Sequence, residues 1–489
     1  METIELLAGQ VPVKKFLENK LKYFRQLRSV VKFKQAGFVG SLKATTAFGK
    51  TFVARIVLGK IQKKIRQTVG NFKVIIIVPR KVLKDQWESE ITHFPDLNIQ
   101  IHVINGFVQL PVQSCDLLIL DEMHLYASPK FKKWALTNYR FLLGLTATMK
   151  RMDGEEEFLL QKAPVFDTIL HQEALDRGWI SDVLEINCPV FLTKEERVQQ
   201  TELNKKISQY FNFFGDFNLM SDCCSHKGAS NYVNSNKIML TTKEVQRKAN
   251  IAMKLIRQRK DFIDNTKHKL LLSKTLIEKL DLRTITFSES VEFAEKLKEH
   301  FVTAEIYHSN LKTYTKNVFD KKVKSYKTKK GANNFALALR KKGIPFTPSI
   351  NNGKYELEYF DLKNKKFSNE TQKKLAVENI TKGKSSLILT AKALDQGFNV
   401  DDMEFGLETS RSRNPTQRIQ RRGRIGRKFT YPNGVEKLGL YISLYIPDYV
   451  VKGSVDESKL IDVSGGNEIW VNDEEEMFEV LKKYNFIKP

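Results

Sequence analysis

The sequence predicts an α/β fold of two doubly wound parallel sheets, with a helical segment and a basic insertion in the second. Three observations carry this. Short apolar, β-branched runs such as Lys73 to Pro79 (KVIIIVP) alternate with helical stretches, the spacing of strand, helix and strand in a parallel sheet. The length, 489 residues, exceeds what one hydrophobic core usually supports. Strand-like runs return after residue 283, beyond a stretch whose apolar residues keep three- and four-residue steps.

The balance of 81 Lys and Arg against 56 Asp and Glu, net +25, suits a polyanionic partner such as nucleic acid. Four cysteines (Cys115, Cys188, Cys223, Cys224) fit neither a metal-ligand spacing nor a disulfide framework, which points to a reducing, intracellular setting. The start, METIELLAGQ, has no basic lead into an apolar core, and no apolar run approaches about 18 residues. Neither secretion nor a membrane partner is therefore expected.

Taken in order, residues 11 to 30 carry Val13, Phe16, Leu17 and Leu21 at helical spacing. GFVGSL then reads as a buried strand running into ATTAFGKT, a phosphate-binding loop of Ala44, Thr45, Thr46, Ala47, Phe48, Gly49, Lys50 and Thr51. Such a loop curls so that N–H groups point at phosphate oxygens and the next helix adds its positive end. Gly49 permits the curl, Lys50 supplies charge to the phosphates, and the Thr51 hydroxyl takes one position on Mg²⁺. Ala44 stands where the pattern has its first glycine; a left-handed backbone at Ala47 would cost roughly 1–2 kcal/mol. Ahead of the loop, either Gln10 or Gln26 is placed to read an adenine edge, because an amide both donates and accepts.

TFVARIVLGKIQKKIRQ reads as a helix, KVIIIVP as a central strand, PRKVLKDQWESEI as a turn into a helix, and IQIHVING as a short strand. CDLLILDEMH is a buried run ending in two acids, where a doubly wound sheet gathers its ligands. Asp121 holds Mg²⁺ through water and Glu122 polarises the attacking water. His124 either relays the nucleotide state to the second domain or caps a helix. YRFLLGLTATMKRMDG is a further strand whose Thr146 and Thr148 bond the neighbouring acids.

GKT, PRKVLKDQW, DEMH and GLTATMKRMDG in this order resemble the first motor domain of a superfamily-two helicase. Gln86-Trp87 and the RMDG tail (Arg151 to Gly154) resemble most the group of the repair and transcription helicase Rad25 and the phage branch-migration helicase UvsW. The resemblance implies two RecA-like motor domains with ATP between them. It also implies a nucleic-acid surface, here Arg80, Lys81, Gln86, Thr146 and Thr148, with Ser288 and Thr390 from the second domain.

Residues 1 to 165 are the expected first domain, 166 to 195 an interdomain connection, 196 to 450 the second domain, and 451 to 489 a tail. Residues 196 to 280 read as helical; the cations of KEVQRKANIAMKLIRQRKDF either track a DNA backbone or face solvent. LRTITFSESVEFAEKLKEHF reads as strand, turn and helix, with Ser288 and Glu289 in the turn. KLAVENITKGKSSLILTAKALDQGFNV follows, a helix and a buried strand ending at Thr390; Gly397 is placed near the nucleotide, and Asn399 stands where the family has Asp. RNPTQRIQRRGRIGR puts Gln420, Gly423, Arg424 and Arg427 in the pattern Q-x-x-G-R-x-x-R. Guanidinium forks there stabilise charge building on the γ-phosphoryl oxygens, and only when the cleft closes.

Residues 312 to 370 hold 15 Lys or Arg against 5 Asp or Glu, an insertion that the family pattern does not require. NNFALALRKKG reads as a helix, and Asn352-Gly353 as the turn of a hairpin. Its lysines would neutralise phosphates while Tyr355, Tyr359 or Phe346 stacks on an unpaired base; otherwise it is a solvated decoration or a docking site. The expectation is an ATP- and Mg²⁺-dependent DNA helicase or translocase that unwinds or branch-migrates forked or four-way DNA in recombination, replication or repair. Recombination or replication proteins are its expected partners, and it is expected to be monomeric, in bacterial cytoplasm or a nucleus. The alternatives are an RNA helicase and an ATP-switched DNA-binding factor.

Overall fold

A computed structural model of the protein describes residues 13–67, 71–149, 151, 154–237, 239–392, 402–410, 415–429, 431, 436–447 and 468–487. The chain divides into two compact units, Met1–Ile306 with Asn379–Pro489, and Tyr307–Glu378.

Six strands form the first sheet: β1 (Val39–Ala44), β2 (Lys73–Val78), β3 (Asn98–Val103), β4 (Ser114–Asp121), β5 (Asn138–Thr146) and β6 (Val165–Ile169), in the order β3-β2-β4-β5-β1-β6. Every pair is parallel. The unbroken apolar runs follow from burial on both faces: Val74, Ile76 and Val78 enter one core, while Ile75 and Ile77 enter the other. Helices α1 (Val13–Gln35), α2 (Lys50–Ile65), α3 (Lys81–Ile91), α4 (Ile104–Phe107), α5 (Glu156–Lys162) and α6 (His171–Asp176) accompany this sheet. Asp167 on β6 ties α1 down, accepting from Arg25 Nη1 at 2.6 Å, Ser29 Oγ at 2.7 Å and Lys32 Nζ at 2.5 Å.

The second sheet comprises β7 (Val183–Pro189), β8 (Thr284–Ser288), β9 (Glu305–His308), β13 (Leu387–Ala391), β14 (Phe405–Glu408), β15 (Gly439–Tyr445) and β16 (Glu468–Trp470), in the order β16-β7-β15-β14-β8-β13-β9. Between β7 and β8 lie α7 (Lys194–Phe214), α8 (Phe217–Asp222), α9 (His226–Asn236), α10 (Thr242–Asp264) and α11 (Lys267–Leu280). Capping boxes start α7 at Thr193 with Glu196 and α10 at Thr241 with Glu244. These helices carry a small core of their own around Phe214, Met220, Val245 and Ala249, while Leu272, Leu276 and Leu280 of α11 join the core of the second sheet. Helix α12 (Val291–His300) follows β8.

The domain limits differ from the expected ones at two places. The stretch 166–195 is not a plain connection: β6 closes the edge of the first sheet, and β7 is a buried strand lying between β15 and β16 of the second. The tail is not an appendage either. Strand β16 pairs in parallel with β7, and α16 (Glu474–Lys483) places Met477 and Leu481 in the second core. Strand β16 has only three residues, and β7 follows so closely on β6 that local pattern reads it as linker.

The unit Tyr307–Glu378 contains β10 (Tyr314–Tyr326), α13 (Lys329–Lys341), β11 (Phe346–Asn351) and β12 (Lys354–Phe367), with the start of α14 (Asn369–Thr381). Its sheet is antiparallel in the order β10-β12-β11. The hairpin turns at Asn352 (φ 48°) and Gly353 (φ 72°), the left-handed pair of a two-residue hairpin loop. The helix and the hairpin are where the sequence pattern puts them; β10 and its thirteen-residue pairing with β12 are additional.

Candidate nucleotide site

Strand β1 delivers the chain into residues 45–49, and α2 begins at Lys50. Both Ala47 (φ 64°) and Gly49 (φ 94°) are left-handed. Only Gly49 has no β-carbon to oppose this, so the Ala47 strain, about 1–2 kcal/mol, is carried by contacts. Helix α1 supplies them: Lys22 Nζ donates to the Ala47 carbonyl at 2.9 Å, and Gln26 Nε2 to the Phe48 carbonyl at 2.8 Å. Phe48 is fully buried against Trp179, ring centroids 5.6 Å apart. The Lys50 ammonium lies 3.4 Å from the Ala44 carbonyl, within the curl. Thr45 Oγ1 meets His171 Nδ1 at 3.2 Å.

Gln26 sits mid-helix with its amide spent on the loop, so in this structure it braces the loop rather than standing at a helix start facing a base. Gln10 and Gly397 lie outside the described residues, as does Asn399.

At the end of β4 the two acids are held differently. Asp121 is buried, and its Oδ2 accepts from Trp87 Nε1 at 2.9 Å. Burial, and next the neighbouring Glu122, push the Asp121 carboxyl up to about 6, while the Trp87 N–H and the Lys50 charge oppose the rise. Glu122 has a left-handed backbone (φ 52°), an uncommon conformation that turns its side chain away from the strand direction. Its Oε2 lies 3.5 Å from His124 Nδ1. That nitrogen also meets Thr146 Oγ1 at 3.0 Å, and Thr146 donates to the Thr148 carbonyl at 2.5 Å. Burial lowers the His124 pKa, which favours the neutral ring. The line Glu122, His124, Thr146 thus joins the ends of β4 and β5, and Arg151 adds a bond to the His124 carbonyl.

From the second sheet, α15 (Pro415–Ile425) reaches the same place. Gln420 Nε2 lies 3.5 Å from Glu122 Oε2. A β-carbon on Gly423 would sit 1.9 Å from Thr46 Oγ1, so only glycine allows the helix this close to the loop. A cavity of about 300 Å³ remains between them, lined by Thr45, Thr46 and His171 on one side and Arg422, Gly423 and Gly426 on the other. Arg424 and Arg427 are half-buried on this helix and the turn after it.

The helix is held by buried charge. Arg421 Nη1 donates to Glu408 Oε1 at 2.7 Å and its Nη2 to Glu289 Oε1 at 2.8 Å. Arg418 donates to Glu185 at 2.6 Å, and Ser443 to Glu408 at 2.8 Å. Burial would raise the Glu408 carboxyl, but Arg421 and Arg418 hold it below its usual range.

Arg80 and Lys81 are exposed at the start of α3, with Gln86 half-buried along it. Thr146, Thr148, Ser288 and Thr390 are buried instead. The Ser288 hydroxyl donates to the Ser290 carbonyl at 3.1 Å and shapes a turn, while that of Thr390 donates to the Thr286 carbonyl at 2.7 Å and ties β13 to β8. Sequence reasoning assigned no role to Trp87, Lys22, Arg418 or Arg421. The available signal was a tryptophan in the mostly polar KVLKDQWESE and arginines beyond those the motif requires.

Residues 340–429 match the family model of the helicase conserved C-terminal domain. No curated protein matches the sequence. Among solved structures, Saccharomyces cerevisiae Dbp5 bound to RNA and ADP BeF3 superposes with a TM-score of 0.50 at 11% identity, covering 97% of each chain. The Pyrococcus furiosus Hef helicase domain gives a TM-score of 0.42 at 13% identity, over 88% of this chain and 96% of its own. The ATP-dependent type ISP restriction-modification enzyme LlaBIII bound to DNA gives 0.47 at 12%, over 95% of this chain and 32% of its own. The two-sheet α/β fold is thus shared with Dbp5.

Proposed function

We propose that the chain is an ATP-driven helicase or translocase that acts on DNA. The observation that carries this reading is convergence: Glu122 and Thr46, beside Asp121 and Lys50 of the first sheet, meet Gln420 and Gly423 of the second. Hydrolysis that needs groups from two bodies is suited to driving their motion. The helicase C-terminal domain match over the residues that include α15 supports it.

The donor set fits ATP with Mg²⁺. Lys50 would bind the phosphates, and Thr51 with the buried Asp121 carboxylate would hold the ion, which neutralises phosphate oxygens when bound. Trp87 orients Asp121 for that task. Glu122 would take the proton of the attacking water, and Arg424 and Arg427 would bind the charge that builds up.

Forked or four-way DNA is the substrate favoured, on the motif resemblance to the branch-migration group. RNA is the second reading, since Dbp5, whose fold is shared, was solved bound to RNA. ATP turnover measured with single-stranded, duplex, forked and four-way DNA and with RNA tests both. Branched DNA is expected to stimulate most, and Lys50→Ala to abolish turnover. Stimulation by RNA alone would move the substrate, and comparable stimulated turnover in Lys50→Ala would overturn the site.

A further inference from the structure

The unit Tyr307–Glu378 has a basic surface that the nucleotide site does not use. Part of its apolar surface is consumed internally, while Tyr314, Val323, Ile350 and Phe360 on its strands stay exposed. Ala332, Leu339 and Leu357 are buried, Phe335 packs edge-on against Tyr359 at 5.2 Å and tilted against Tyr326 at 5.8 Å, and Arg340 covers Phe346 at 5.7 Å. Two of the three rings expected to stack on a base, Tyr359 and Phe346, are therefore engaged within the unit. What faces outward on α13 is polar and cationic apart from one large apolar residue, Leu337. Lys330, Asn333, Asn334, Leu337 and Lys341 are all exposed, and their spacing of three, four, seven and eleven residues from Lys330 sets them on one stripe opposite the buried Ala332 and Leu339. Lys329 and Lys342, both exposed, flank the stripe at its ends.

We infer that this unit is a nucleic-acid-binding module that lays the outer face of α13 along the phosphodiester backbone of a duplex; the inference rests on reading the chain as a nucleic-acid motor. Charge complementarity selects the polyanion, since no acidic residue lies within α13 to offset its cations. Geometry selects the duplex. Thirteen helical residues place the two lysine pairs about 18 Å apart at 1.5 Å per residue, the axial rise of roughly five phosphates of one duplex strand at 3.4 Å each. The rigid helix holds that distance fixed, as a duplex backbone does and a flexible single strand does not. The outer stripe also presents no aromatic ring, the group on which single-strand binders stack bases. The asparagines add neutral donors between the charged ends, and nothing on the stripe requires a base sequence.

The test uses the full chain with Lys329, Lys330, Lys341 and Lys342 all changed to Gln, and a second variant with all four changed to Arg. Binding to labelled duplex and single-stranded oligonucleotides of DNA and of RNA is followed by fluorescence anisotropy across a salt series. For duplex, the Gln variant is expected to lose at least about tenfold in affinity at ~0.1 M salt, and its slope of log K against log salt to become shallower by roughly 3 to 4, about 0.9 per lost contact. The Arg variant should keep the parent's slope, and turnover without nucleic acid should be unchanged in both. The DNA and RNA duplex arms show which backbone is held. Parent-like duplex affinity and slope in the Gln variant, or a loss confined to single strands, overturns the inference while leaving the motor reading intact. A parent that neither binds nor is stimulated by any nucleic acid overturns the motor reading itself.

Discussion

Ala47 illustrates how much of the site is a matter of single residues. Its left-handed backbone is a cost inferable from the sequence, because the phosphate-loop pattern requires a curl and this chain lacks the usual glycine there. What offsets the cost was not legible: the Lys22 bond to the Ala47 carbonyl spans 25 residues, and helical spacing does not say what a lysine side chain reaches. Ala47→Gly is expected to raise stability by up to about 1 kcal/mol, measured by chemical denaturation, with a gain in unfolded-state entropy as the opposing effect. Trp87 is the converse case, since it was visible as a family marker but its act of donating to Asp121 was not. Trp87→Phe keeps the ring and loses the N–H. The Mg²⁺ concentration for half-maximal turnover should rise by roughly 10- to 100-fold, the usual cost of losing an outer hydrogen bond to a metal ligand. Titration of turnover against Mg²⁺ checks this.

Among the elements, α15 was the most legible, because Gln420, Gly423 and Arg424 of Q-x-x-G-R-x-x-R fall on one helical face, with Arg427 in the turn that follows. The pattern names Gly423 without its reason, which lies 377 positions away at Thr46 and needs the fold. Gly423→Ala should fold normally and yet lower turnover by at least about tenfold, since a 1 Å displacement of reacting groups costs on the order of a hundredfold. Steady-state ATPase beside a melting curve separates those outcomes. The role of the buried anchors was not legible, because Arg421 is one of several arginines beyond those the motif requires and its partners Glu408 and Glu289 are set by the fold. Arg421→Met leaves Glu408 buried with less compensation and should cost about 3–5 kcal/mol. Adding Glu408→Gln should return a large part of it. Because the Glu408 carboxyl is held below its ordinary value of 4.5, its contribution is fully present above that pH and is lost as pH falls through the lowered value. Denaturation midpoints of the two variants across an acid series test the sign.

At the scale of the molecule, both parallel sheets were legible because strands buried on two faces are written as unbroken apolar runs. The edges were not. Strand β16 has only three residues, and β7 follows so closely on the first sheet that it reads as linker. The helical segment was legible from its periodicity and the hairpin from Asn352-Gly353, whereas β10, the second partner of β12, could not be read from local pattern. The account's central claim is that groups from the two sheets act on one phosphate. The most direct test is to measure the turnover number and the ATP dissociation constant together for Arg424→Ala and Arg427→Ala. The account predicts that turnover falls by two or more orders of magnitude, on the scale of transition-state arginines, while ATP affinity changes only a few-fold. Loss of ATP affinity with an unchanged turnover number would contradict it.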